Sequence, residues 1–299
     1  MKVAVFGATG TIGRALVPLL AAEHDIVAVS RGSAPGASSE VDSVAADVTN
    51  ADDVRRALEG VDVAYYLVHS LGSDDFEARD LRAATVVADE SERAGLRQLV
   101  YLGGLGDDSA DLSPHLRSRL ETGRRLAGGA VPLTSLNAAM VVGRGSAAFE
   151  TIVALVNRLP GMVCPRWVTT PTQPIALADV VAYLAGVCGL ERAIGRSFDV
   201  GGPEVMTYRN MIERVARLKG RRPLIVEVPF LTPRLSSYWL HLVTPVNARV
   251  ARPLIDGLRN PTVARDDDIR ALVPIELTTF DEAALTALGA RTTSSRSAA

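Results

Sequence analysis

The chain has 299 residues, 47% of them hydrophobic, with 32 basic and 34 acidic side chains. This length suits one large α/β domain or one domain with a small annex, and the apolar content is enough for a substantial core. The near balance of charge argues against nucleic acid as a partner, because proteins that bind it carry a strongly basic surface.

The cysteine content favours a reducing, cytoplasmic setting. Only Cys164 and Cys188 are present, and their spacing predicts neither a disulfide framework nor a zinc cluster. No leader-like segment precedes the first apolar run, and no run of about 18 apolar residues occurs, so we expect neither a signal peptide nor a transmembrane segment. The oligomeric state stays open.

A short apolar run, residues 3–6, leads into Gly7, Gly10 and Gly13 and then into a helical pattern. This order is typical of a strand that turns into a helix at a dinucleotide site. Gly7 permits the turn, Gly10 lets the backbone approach a pyrophosphate, and Gly13 lets the helix pack close to the strand. We therefore predict a dinucleotide site at this turn.

The second predicted strand, residues 25–30, ends at Ser30 and Arg31. A site that prefers NAD places an acidic residue here to bind the ribose 2′-hydroxyl, and none is present. A hydroxyl and a guanidinium suit a 2′-phosphate instead. The pattern favours NADP, with NAD as the alternative; the competing interpretation is that Arg31 is a solvated loop residue.

Strands and helices then alternate up to residue 140. The predicted elements are a loop at 32–39, a strand at 43–46, a helix at 51–58, a strand at 61–68, a helix at 75–94, a strand at 98–102, a helix at 115–127 and a strand at 133–140. Asn50 and Ser113 are suited to cap two of these helices. The alternation predicts an α/β fold with a doubly wound parallel sheet, the Rossmann fold. Ligands bind outside the carboxyl ends of such strands, which places His69 and Ser70 at the ligand edge.

The second half is more irregular and rich in proline. We predict a nucleotide-binding core over residues 1–143, a smaller irregular C-terminal substrate subdomain over 144–290, and a disordered tail over 291–299. A strand near 198–202 would return to the core, and helices are expected at 178–188 and from Thr207 to 219. Residues 228–258 fit either an amphipathic lid or core helices. The acidic run 266–268 favours a helix N-terminus over a metal cluster.

Together these residues resemble the extended, atypical branch of the short-chain dehydrogenase/reductase superfamily. The glycine motif at 7–13 matches that branch, and Asp47-Val48 is similar to its adenine-contacting pair. A narrower similarity, to the NmrA-related, YbjT-like NAD(P)H-binding proteins, is carried by residues 66–70, 101–105, 113–119, 165–168, 198–203 and 231–239. The resemblance covers roughly residues 1–290. It implies cofactor contacts by Gly7, Thr9, Gly10, Thr11, Ile12, Gly13, Ser30, Arg31, Asp47, Val48, Leu67, Val68 and His69.

The resemblance breaks down at the catalytic positions. Catalytic members use a tyrosine as acid/base, a lysine four residues later, and a serine or threonine after the fifth strand. Those positions correspond here to His115, Arg119 and either Gly103 or Gly104. Arg119 can hold a ribose or a developing negative charge. His115, with His69 as a second candidate, can exchange a proton near neutral pH, or else His115 is simply a partly exposed residue at a helix start.

Two functions follow from this pattern. The first is an oxidoreductase in which NADPH reduces a carbonyl, enone or quinone-type small molecule. The second is a non-catalytic NADP(H) sensor or assembly factor acting on a protein partner, like the NmrA-like regulators and the related accessory subunit of respiratory complex I. An epimerase is less favoured because it needs the absent tyrosine. A hydrolase built on Ser70 and His69 lacks the nucleophile elbow, and no metal is expected.

Overall fold

The computed structural model describes residues 1–32, 41–70, 73, 75–106, 112–228 and 257–289. The strands in chain order are β1 (Lys2–Phe6), β2 (Asp25–Ser30), β3 (Val41–Ala45), β4 (Val63–Tyr66), β5 (Gln98–Gly104), β6 (Leu133–Ala138), β7 (Val141–Val142), β8 (Gly161–Pro165), β9 (Pro171–Thr172), β10 (Ile175–Ala176), β11 (Ser197–Val200), β12 (Met206–Thr207) and β13 (Leu224–Val228). The helices are α1 (Thr11–Ala21), α2 (Ala51–Ala57), α3 (Phe76–Ala94), α4 (Pro114–Ala127), α5 (Ala147–Arg158), α6 (Leu177–Gly186), α7 (Tyr208–Leu218), α8 (Asp268–Leu272) and α9 (Phe280–Ala287).

Within this part of the chain, seven strands form a central sheet in the order β11-β6-β5-β4-β1-β2-β3, and all the pairings are parallel. The sheet is buried on both faces, and alternate side chains of β1 pack into two separate cores. Val3 and Val5 pack on the α1 and α6 side, whereas Ala4 and Phe6 pack on the side of α2 and α3. The predicted doubly wound Rossmann fold is confirmed.

Local capping explains where several helices begin. The Asn50 side chain accepts hydrogen bonds from the N–H groups of residues 52 and 53 at the start of α2. Ser113 accepts one from the Leu116 N–H at the start of α4, with Pro114 in the first turn, and Thr207 caps α7. These three caps lie where the sequence places them, since Ser, Thr and Asn satisfy otherwise unpaired N–H groups.

The strand ends differ from the predicted ones where the chain approaches the site. The predicted strand 61–68 is Val63–Tyr66, and the predicted strand 133–140 ends at Ala138. Strand β5 runs on to Gly104, beyond the predicted end at 102, because Gly103 and Gly104 pair with Asn137 and Ala138. The helix predicted at 178–188 spans Leu177–Gly186.

The second half adds a third apolar core, built around α5, α7 and α9. Three small two-stranded sheets surround it: β8 with β13, β7 with β10, and β9 with β12. Strand β11 leaves this region and pairs with β6 in the central sheet. The predictions for the loop 33–39, the resemblance at 231–239, most of the stretch 228–258 and the tail lie outside the described residues. No helix in the described ranges is long and apolar enough to cross a membrane.

Candidate functional site

Two adjoining cavities lie at the carboxyl edge of the central sheet. The first, of about 560 Å³, is lined by the ends of β1 and β2, by residues 46–48 and by Arg79 from α3. The second, of about 500 Å³, lies between the start of α1, the ends of β5 and β6, helix α4 and residues 138–148. Both cavities share Gly7, Gly10, Leu67 and His69, so one molecule could extend from one into the other.

The glycine turn forms the wall shared by the two cavities. Gly7 has φ +91°, a conformation that L side chains rarely adopt, and its N–H donates to the Val29 carbonyl over 3.0 Å. A Cβ on Gly13 would lie 2.3 Å from the Gly7 oxygen, which no side chain tolerates. Gly10 precedes α1, which has no side-chain cap. Thr11, Ile12 and Gly13 of its first turn line the second cavity, so N–H groups that no side chain caps lie at the cleft wall, an arrangement suited to a pyrophosphate.

Residues around the turn divide between the two cavities. Thr9 lines the first, and Ile12 and Thr11 line the second. The Thr11 hydroxyl donates to the Gly145 carbonyl over 2.8 Å, which ties the turn to a loop 134 residues further along the chain. Only the structure reveals this contact, because no local pattern relates residues so far apart.

The polar end of the first cavity gathers the predicted selectivity residues. Ser30 is buried and its hydroxyl donates to the Gly32 carbonyl, while Arg31 is exposed. Asp47 accepts hydrogen bonds from the Thr49 N–H and hydroxyl, over 2.9 and 2.8 Å. The Thr49 N–H is the main reason that the pKa of Asp47 is lowered, with further contributions from Arg79 and Arg31. The Asp47 carboxylate is therefore charged and fixed beside Val48.

Arg79 also lines the first cavity, and no pattern in the sequence predicts it. Its Nη2 lies 3.5 Å from Asp47 Oδ2. The residue belongs to a helix of mixed charge with no recognisable motif, so nothing in the sequence separates it from surface arginines. Its position beside Asp47 adds a second guanidinium to the cavity that already contains Arg31.

Segment 67–70 follows β4 and runs between the two cavities. Leu67 and Val68 line the first cavity with Ser70, and Leu67 and His69 reach the second as well. The Leu67 N–H still donates to the Phe6 carbonyl over 3.0 Å, so the segment keeps the direction of the sheet as it leaves it.

Helix α4 brings His115 and Arg119 to the second cavity. The Arg119 guanidinium donates to the Leu102 carbonyl and lies 5.0 Å from the centroid of the Tyr101 ring. The Tyr101 hydroxyl donates back to the Arg119 carbonyl over 2.8 Å. These contacts fix the arginine at the end of β5, where it places a positive charge at the wall of the cavity.

The two histidines of the cleft, His69 and His115, are both neutral at pH 7. The cleft walls disfavour the charged imidazole and lower the pKa of His115 to about 3, with smaller effects from Arg119 and His69. Desolvation, followed by the charge of Arg119, lowers the pKa of His69 to about 4, although this residue is more exposed than His115. His115 thus presents a neutral imidazole, in place of the proton exchange near neutral pH that its residue type suggested.

Of the two glycines at the end of β5, Gly104 is the one that faces Leu116 and Arg119 in the second cavity. A Cβ at Gly103 would lie 2.5 Å from Asn137 Oδ1, whereas one at Gly104 would meet Leu116 and Arg119 at 3.5 and 3.9 Å. Successive residues of a strand point to opposite faces, which explains the difference. The position beside Arg119 therefore carries no hydroxyl.

The rest of the second cavity is mainly apolar. Its lining includes Leu102, Leu105, Leu116, Met140, Val141, Tyr208 and Leu258. Such walls suit an apolar or aromatic molecule held near a few polar groups. Across the described ranges, no cluster of three or more histidine, cysteine, aspartate or glutamate side chains is arranged to hold a metal ion.

Comparison with known proteins identifies the nucleotide-binding region. Residues 7–126 match the family model described as NAD(P)H-binding. The mitochondrial NADH dehydrogenase [ubiquinone] 1 alpha subcomplex subunit 9 of Arabidopsis thaliana is 23% identical over 240 residues, which is 76% of this chain and 60% of that protein. The chain thus spans less than two thirds of the length of this relative.

Two solved structures share the fold over almost the whole chain. The NADPH-dependent quinone oxidoreductase of Escherichia coli, complexed with NADPH, has a TM-score of 0.76 at 18% identity and covers 95% of this chain and 99% of its own. The triphenylmethane reductase of Citrobacter sp., complexed with NADP(H), has a TM-score of 0.75 at 16% identity, with 96% and 100% covered. At these identities the likeness establishes the fold alone.

Proposed function

We propose that this chain is an NADP(H)-dependent oxidoreductase that reduces a carbonyl or quinone-type small molecule. The premise is that residues 7–126 match an NAD(P)H-binding family model, in a chain that shares its fold with two solved reductases bound to NADPH or NADP(H). The observation that carries the proposal is the junction of the two cavities. A glycine turn suited to pyrophosphate lies in the wall that the two cavities share, and the second cavity, of about 500 Å³ and mainly apolar, extends from it past His69 to His115 and Arg119.

The residues have separate roles in this proposal. The N–H groups at the start of α1 would hold the pyrophosphate, and Arg31 would favour NADP over NAD. When bound, the nicotinamide cofactor supplies the hydride. Arg119 would stabilise negative charge on the oxygen of the reduced substrate, and the neutral His115 imidazole would donate an N–H hydrogen bond to it.

Because no tyrosine hydroxyl is present at the position of His115 to act as the general acid, we favour quinones over simple ketones as substrates. A reduced quinone leaves a delocalised anion that a cation and a neutral donor can stabilise until water supplies the proton. An alkoxide is far more basic and needs a proton during the transfer. Arg119, His115 and the bare backbone at Gly104 fit the first case.

The test is NADPH oxidation with a panel of quinones and a panel of aldehydes and ketones. We expect turnover with at least one quinone, and we expect His115→Phe to lower kcat/KM about tenfold because the hydrogen bond is lost. His24→Phe, outside both cavities, serves as the matched control. If NADPH binds but no acceptor is reduced above a protein-free blank, the oxidoreductase proposal is wrong.

That result would support a second candidate, a non-catalytic NADP(H) sensor or assembly factor that acts on a protein partner. The observation favouring it is that glycine, histidine and arginine occupy the three positions where catalytic members carry serine, tyrosine and lysine. A sensor or assembly factor of this kind should bind NADPH tightly without oxidising it. Both candidates are proposed as cytoplasmic proteins on the basis of two free cysteines.

A further inference from the structure

Arg79 and Arg31 are the two arginines among the residues that line the first cavity. They reach it from different elements: Arg31 follows β2, and Arg79 lies in the first turns of α3, where its N–H donates to the Asp75 carbonyl over 3.0 Å. The lining of the cavity therefore includes two guanidiniums, both close enough to Asp47 to lower its pKa, and only Arg31 belongs to a motif that the sequence makes visible.

The rotation of α3 directs Arg79 towards this cavity. The next residue, Asp80, is buried and its Oδ2 accepts a hydrogen bond from the Ser118 hydroxyl on α4 over 3.3 Å. A buried carboxyl that is bonded to a neighbouring helix fixes which face of α3 points inward. Residue 79 is displaced from that face and lies at the rim of the cleft, beside Asp47.

The ion pair between Arg79 and Asp47 is loose. Their closest atoms are 3.5 Å apart, and the side chains are 36% and 42% exposed. Exposed pairs of this kind contribute little to stability, so Arg79 can leave Asp47 at small cost. Asp47 would not lose its support, because Thr49 binds its other carboxylate oxygen through the N–H and the hydroxyl.

We infer that Arg79 exchanges Asp47 for the 2′-phosphate of NADPH and closes on it together with Arg31, so that two arginines rather than one determine the preference over NADH. This inference rests on the proposed function, since it assigns a phosphate subsite within the proposed cofactor site. Two guanidiniums facing one phosphate can form several charge-assisted hydrogen bonds, and a cofactor without the phosphate gains none of them.

The test is the dissociation constants of NADPH and NADH, measured by calorimetry for the wild-type protein, Arg79→Gln and Arg82→Gln. Arg82 is the matched control, because it is exposed on the same helix and lines neither cavity. We expect Arg79→Gln to weaken NADPH binding between about tenfold and a hundredfold, the usual range for hydrogen bonds to charged groups. NADH binding should change less than twofold.

A second variant tests the exchange itself. Asp47→Asn removes the charge that competes for Arg79 and keeps an oxygen for Thr49, so it should raise the preference for NADPH in the wild-type background and leave it unchanged beside Arg79→Gln. Equal weakening of both nucleotides by Arg79→Gln, or no effect on either, would overturn the inference and leave the oxidoreductase proposal standing. Failure of the wild-type protein to bind either nucleotide would overturn both.

Discussion

At the scale of single residues, the proposed reductase site is defined by three groups at the wall of the second cavity. Gly104 contributes no hydroxyl, Arg119 contributes a fixed positive charge, and His115 contributes a neutral imidazole. The sequence singles out His115 and Arg119, and the pair Gly103 and Gly104, because these residues lie at motif positions. It does not reveal the ionisation of His115, which depends on the cleft walls and on Arg119, nor does it separate Gly103 from Gly104.

Gly104→Ser should install the missing hydrogen-bond donor. Its Cβ has ordinary contacts with Leu116 and Arg119, so we expect the variant to fold and to gain about tenfold in kcat/KM for an aldehyde, with little change for a quinone. The matched control is Gly103→Ser, whose Cβ would collide with Asn137 and should lower the melting temperature without any gain. Steady-state kinetics and thermal unfolding measure both effects. An unchanged aldehyde rate in a folded Gly104→Ser protein would contradict the assigned geometry.

The two cleft histidines should make folding sensitive to acid. Unfolded histidine has a pKa near 6.5, whereas the folded values are about 3 for His115 and about 4 for His69. Between these values the unfolded chain binds protons that the folded chain does not. The contribution of the two neutral histidines to the free energy of unfolding is therefore fully present above pH 6.5 and is lost as the pH falls towards 4.

Urea unfolding at pH 7.5, 6 and 5 should therefore show a shallower loss of stability for His69→Gln/His115→Gln than for the wild-type protein. His24→Gln, outside the cleft, serves as the control for the substitution itself. The comparison isolates the histidines from the carboxylates, which titrate in every variant. Parallel curves for the double variant and the wild-type protein would show that the cleft does not suppress protonation.

At the scale of elements, helix α4 sets the position of both His115 and Arg119. Its start depends on Ser113, a buried residue that accepts the Leu116 N–H over 3.3 Å. Ser113→Ala should cost about 1 kcal/mol of unfolding free energy, while Ser113→Gly should cost a few tenths, because glycine is the better cap of the two. Urea denaturation measures the difference. An equal cost for both variants would mean that the cap contributes through packing instead.

The elements also show which predictions a single sequence allows. The strands and helices of the first 140 residues are long and periodic, so pattern alone locates them to within a few residues. The two-residue strands β7, β9, β10 and β12 have no period to detect, and they form only because distant segments meet. Arg79 could not be predicted for the same reason, since it meets the cavity beside Asp47, after the end of β3, and not through any pattern in its own helix.

At the scale of the whole molecule, the glycine turn should couple binding to global stability. NADPH at a hundred times its dissociation constant should raise the unfolding free energy by about 2.7 kcal/mol, as ligand linkage requires.

Gly13→Ala should abolish this increment and lower the stability of the free protein, because its Cβ would lie 2.3 Å from the Gly7 oxygen. Gly32→Ala, whose Cβ would have no atom of the described residues within 4 Å, should retain the response. Thermal shift assays with and without NADPH test the pair, and a response in Gly13→Ala would exclude the turn as the binding site.

The return of β11 to the central sheet has a consequence for how the protein is made on the ribosome. Until residues 197–200 emerge, β6 is an open parallel edge. The buried Gln98 and Thr134 also lack some of their hydrogen-bond partners at that stage, because they form hydrogen bonds with backbone groups of Val187, Gly189 and Ala193. Strand edges and unpaired polar groups of this kind promote aggregation. We therefore expect the nascent chain to depend most on a chaperone between the emergence of β6 and the emergence of β11, and a translational pause in that period should increase aggregation.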